Sequence, residues 1–68
     1  MNDAEMKAAI DRFLKTISFN ARRELEKAIR KAVKDGKVKG GENLTTAVTL
    51  ANEMLDLNVT IFSKIELH

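Results

Sequence analysis

The chain has no cysteine, so neither disulfides nor a thiolate zinc site can staple it. It has no apolar run approaching the ~20 residues needed to span a bilayer. Its first stretch, "MNDAEMKAAIDRF", is charged where a secretory leader would be apolar. These absences fit a cytoplasmic protein with no membrane partner. Histidine is almost absent too. The single one, His68, is the last residue, so a His-dependent triad has nothing to build on.

Other routes to chemistry are also thin. Glu24 and Glu26 lie two residues apart on a predicted helix and point away from each other. Asp11 and Glu53 are far apart in sequence, and nothing draws them to one cleft. "GKVKGG" has lysine and glycine but lacks the GxxxxGK[ST] spacing of a phosphate loop, and it follows a helix instead of opening one. The expectation is a non-enzyme with no cofactor, no metal and no small-molecule ligand.

At 68 residues only one modest core is possible. Without staples, stability must come from well-packed helices, from a second copy, or from both.

What is present is periodicity. Asn2 and Asp3 are capping residues, and Met6, Ala9, Ile10, Phe13, Leu14 and Ile17 recur at helical steps, predicting a helix over 3–17. Ser18 and Asn20 are both good caps, so a second helix is predicted over 21–35, entered at Asn20, with Phe19 just before it packing back on the first turn or into the core. Leu25, Ala28, Ile29, Ala32 and Val33 form its apolar stripe, and Gly36 marks its stop. So short a link makes the two helices neighbours that pack stripe to stripe.

The period then changes to two. Leu44, Thr46, Val48 and Leu50 alternate with Thr45, Ala47 and Thr49. Leu57, Val59, Ile61, Ile65 and Leu67 alternate with polar residues, with Phe62 on the polar side. Strands are predicted over 43–51 and 57–67, turning near "NEMLD". Residues 46–56 also show helical spacing, so a third helix is the competing reading there. The fold class is α+β, two amphipathic helices followed by a β-hairpin. Both strands of such a hairpin are edges, and edges invite pairing. A homodimer joined through the hairpin is expected, with Val59, Ile61 and Phe62 as candidate contacts.

Charge is uneven. Residues 22–39 carry eight Lys/Arg and three Asp/Glu, while the chain as a whole has a net charge of only +2. Arg22, Arg23, Lys27, Arg30, Lys31 and Lys34 face away from the predicted stripe, and Lys37 and Lys39 continue into the turn. Two helices, the second basic, followed by a hairpin, have the outline of a helix-turn-helix with a wing, which makes nucleic acid an alternative partner. A solvated face explains the same charges. Acids stand early and bases late, as the helix dipole favours, and Asn, Gln, Ser and Thr for reading bases are missing after the cap.

Four blocks carry a resemblance: "FLK" at Phe13–Lys15, "RELEKA" at Arg23–Ala28, "GKVKG" at Gly36–Gly40, and the paired strands at the C-terminus. Together they resemble a family of short bacterial proteins, about this long, whose domain has no known function. The resemblance implies a hairpin in place of a third helix. It brings no activity, cofactor or site residue. The chain departs from that pattern around Ala51–Asp56 and at Phe62.

Overall fold

The computed structural model describes residues 1–68. The chain forms two units, Met1–Lys37 and Val38–His68, and each is described by itself.

The first unit is one helix, α1, spanning Asp3–Lys34. Asn2 caps it: the N–H of Glu5 donates to Asn2 Oδ1 at 2.8 Å, with Asp3 and Glu5 in the first turn. The stop is a Schellman motif. Gly36 takes φ +77, its N–H donates to Val33 O, and the N–H of Lys37 donates to Ala32 O.

The two predicted helices are therefore one, and Asn20 is an interior residue, not a cap. Asn20 Nδ2 donates to Thr16 O at 3.0 Å, and Thr16 Oγ1 donates to Arg12 O. The Asn20 side chain is thus satisfied by the helix it was expected to interrupt. No proline or glycine lies between residues 3 and 34. An interior Asn costs about 0.7 kcal/mol in propensity. A break would free the carbonyls of one helix end and the N–H groups of the next start, which costs more. The apolar stripe also runs on without a phase jump, through Ile17, Ala21, Leu25 and Ala28.

The second unit is a hairpin. Strands β1 (Asn43–Asn52) and β2 (Leu57–Glu66) pair antiparallel in a two-stranded sheet, so the third-helix reading of 46–56 does not hold. Leu44↔Ile65, Val48↔Ile61 and Leu50↔Val59 share one face; Thr45↔Lys64, Ala47↔Phe62 and Thr49↔Thr60 share the other. On that polar face the Thr49 and Thr60 hydroxyls lie 3.1 Å apart, a cross-strand hydrogen bond.

Both ends of the hairpin are shaped by local chemistry. At the turn, the N–H of Leu55 donates to Asn52 Oδ1, the N–H of Asp56 donates to Glu53 O, and Asp56 adopts φ +49. Aspartate tolerates that left-handed conformation better than most residues. At the open end, Gly41 and Glu42 stand opposite Leu67. The Gly41 N–H donates to Leu67 O, and the Leu67 N–H donates to Glu42 O. With Gly41 at φ +96, this is a glycine-first β-bulge.

No residue in the chain is buried. Residues expected to form a core are at best half-buried: Phe13 is 52 % exposed and Ile61 55 %. Phe19, expected to pack inward, is 63 % exposed.

Candidate functional site

The candidate residues lie on two regions, the outer face of α1 with the turn that follows it, and the hairpin. On α1, Arg23, Lys27, Arg30 and Lys34 follow steps of four, three and four, which align them on one side of a helix. Arg22 and Lys31 sit to either side of that line. All six project into solvent, and four of them have an acidic neighbour. Arg22 Nε lies 3.8 Å from Glu26 Oε1, Arg30 Nη2 3.9 Å from Glu26 Oε2, Lys27 Nζ 3.7 Å from Glu24 Oε2, and Lys31 Nζ 2.9 Å from Asp35 Oδ2. Exposed pairs of this kind contribute between nothing and about 1 kcal/mol, so they hold the side chains only loosely. Arg23 and Lys34 pair with no carboxylate.

Lys37 and Lys39 lie beyond α1, which ends at Lys34 and is stopped by Gly36. The Lys39 backbone N–H donates to Glu42 Oε2 at 2.9 Å. The N–H groups of Lys39, of Glu42 itself and of Gly40 hold the Glu42 carboxyl below the ordinary glutamate range; desolvation opposes them and is outweighed. Glu42 thus folds the connection onto itself. Sequence reasoning treated it only as part of a glycine-rich turn, although a carboxylate just after two glycines is the available signal.

On the hairpin, Val59 and Ile61 stand together on the apolar face with Val48 and Leu50. Phe62 is on the opposite face, across from Ala47, and is 68 % exposed. The three candidate self-association residues are thus split between two faces.

The remaining chemistry-bearing residues stay apart. His68 Nε2 lies 3.0 Å from Asn43 Oδ1, a contact that pins the end of the chain to β1. No group of three His, Cys, Asp or Glu side chains is placed to hold a metal ion. No helix is long and apolar enough to cross a membrane. The helix-turn-helix outline fails on the fold: with a single α1 there is no second helix for a recognition helix to be set against.

The model of a family of unknown function, DUF6494, matches residues 1–68. The chain belongs to that family. The match spans every block on which the sequence resemblance rested, from "FLK" to the paired strands. No curated protein and no solved structure matches the chain. Membership in the family carries no activity with it, so function has to be argued from the surfaces themselves.

Proposed function

We propose that the protein is a structural or interaction module that self-associates through its β-hairpin. The observation that carries this is the absence of any buried residue, together with the one-sided apolar hairpin. A two-stranded hairpin is marginal at best in water, and becomes stable with further strands or a packed face. Both outer edges present unpaired N–H and C=O groups. β1 is the less protected edge. It runs ten residues with no charge, proline or glycine, whereas β2 carries Lys64 and Glu66. A second copy supplies both the missing strand and the missing apolar cover.

Ile61→Asp puts a charge on the apolar face and tests this. Light scattering should give a dimer mass for the wild type and a monomer mass for the variant. A second variant, Lys64→Ala, controls for general perturbation and should remain dimeric. A wild-type monomer at high micromolar concentration contradicts the reading.

One observation favours a second reading. Arg23 and Lys34 have no carboxylate partner and lie in line with Lys27 and Arg30, a spacing suited to phosphates along a nucleic-acid backbone. Mixed DNA should then be retained at about 50 mM salt and released as salt rises. Reversing Arg23, Lys27, Arg30 and Lys34 to Glu should abolish retention without changing the oligomeric state. No retention by the wild type at low salt excludes this reading.

A further inference from the structure

We propose that α1 pairs antiparallel with the α1 of a second copy, the bulky N-terminal half of each apolar stripe seated on the small-residue C-terminal half of the other. The inference rests on the self-association reading above and adds a second contact to it.

The stripe repeats every eleven residues. Met6, Ile17 and Ala28 form one row, Ile10, Ala21 and Ala32 a second, and Leu14 and Leu25 a third. An eleven-residue repeat stays close to the natural pitch of an α-helix, so the stripe runs nearly straight along the whole of α1. Most of its large residues are exposed, from 37 % at Leu25 to 52 % at Phe13 and Val33, and Ala21, Ile29 and Ala32 are only half-buried.

Its two halves differ in size. The first is Met6, Ile10, Phe13, Leu14 and Ile17; the second is mainly Ala21, Leu25, Ala28 and Ala32, flanked by Ile29 and Val33. Two copies in antiparallel full overlap set Met6 against Ala32, Ile10 against Ala28 and Ile17 against Ala21. Each of these layers then holds one large and one small side chain, and only the Phe13–Leu25 layer holds two large ones. A parallel pair stacks large on large at one end and alanine on alanine at the other. Since helix separation follows side-chain size, such a pair would splay. The antiparallel arrangement also opposes the helix dipoles.

The contact is large enough to matter. The 32 residues of α1 make a rod about 48 Å long. A stripe about 10 Å wide along it hides roughly 1,000 Å² over both copies, the lower bound of a specific interface.

Because the chain has no cysteine, Lys7→Cys places a single nitroxide label just beside the stripe. In the antiparallel pair the two labels sit 24 residues apart along the axis, about 36 Å. Double electron–electron resonance should give a distance near that value. A distance under about 20 Å means parallel helices and overturns the proposal. Any other distance in a sample that sediments as a dimer also overturns it, while leaving hairpin association standing. A monomer with no dipolar signal removes both.

A size swap gives an independent check. Ile10→Ala and Ala28→Ile should each weaken the dimer about tenfold, and the double variant should recover most of the loss. Simple addition of the two losses contradicts contact between these positions.

Discussion

The helix and the hairpin stand in opposite relation to their own backbones. In α1 every interior N–H and C=O is paired along the helix, and both ends are closed, by Asn2 at the start and the Gly36 motif at the stop. What α1 lacks is cover for its side chains. The hairpin lacks that and more, because its two strands pair only with each other and each leaves one edge of polar groups open. A helix can persist with a bare apolar stripe; a two-stranded hairpin has much less to hold it. If the proposed self-association holds, it should stabilise the hairpin more than it stabilises α1.

The largest expected effect separates one long helix from two short ones. Proline at the first position after a cap is well tolerated, so Ala21→Pro would be nearly neutral if a second helix began at Asn20. Inside a continuous α1 it removes a hydrogen bond and clashes with the preceding turn, at about 3 kcal/mol. Far-ultraviolet circular dichroism should show a clear loss of helix. An unchanged spectrum would restore the two-helix arrangement.

That test bears on how much was legible in the sequence. The hairpin, its turn near Glu53–Asp56, the Asn2 cap and the Gly36 stop were all readable, because each depends on local chemistry: period, a capping side chain, a glycine with positive φ. The strand limits differed by a single residue at one end of each. The continuity of α1 was not readable by the same logic. Ser18 and Asn20 are good caps in isolation, and local preference says nothing about the cost of leaving a helix already under way. The unbroken stripe across Ile17 and Ala21, and the lack of proline or glycine from residue 3 to 34, were the better signals. The assignment of Met6, Ile10, Phe13 and Leu14 to an internal core failed for a related reason. Periodicity identifies a face that needs covering, not what covers it.

A smaller effect is expected at the open end of the hairpin. Gly41→Ala has space for its methyl group, with nothing within 4 Å, but it must hold a φ of +96. The strain should cost about 1–2 kcal/mol. It should appear as faster amide exchange at Leu67, whose hydrogen bonds form the bulge, with α1 unaffected. Uniform loss across both units would instead mean that they unfold together.

The smallest expected effect concerns Glu42. Its folded-state pKa lies below the ordinary glutamate value, so the charged form stabilises the folded connection. That contribution is present above the ordinary glutamate range and is lost as pH falls through the lowered folded value. The amide of Lys39, which donates to the carboxylate, should shift over that acidic window in an NMR titration, and Glu42→Gln should abolish the shift. A Lys39 amide that does not respond to pH would mean the hydrogen bond is absent in solution.

The central claim is that the apolar faces of this chain are covered by a second copy. Sedimentation equilibrium over a micromolar concentration series measures that directly. The result expected is a mass rising to about twice the 7.6 kDa of one chain, with Ile61→Asp held at the monomer value. A wild-type mass fixed at one chain across the series would contradict it.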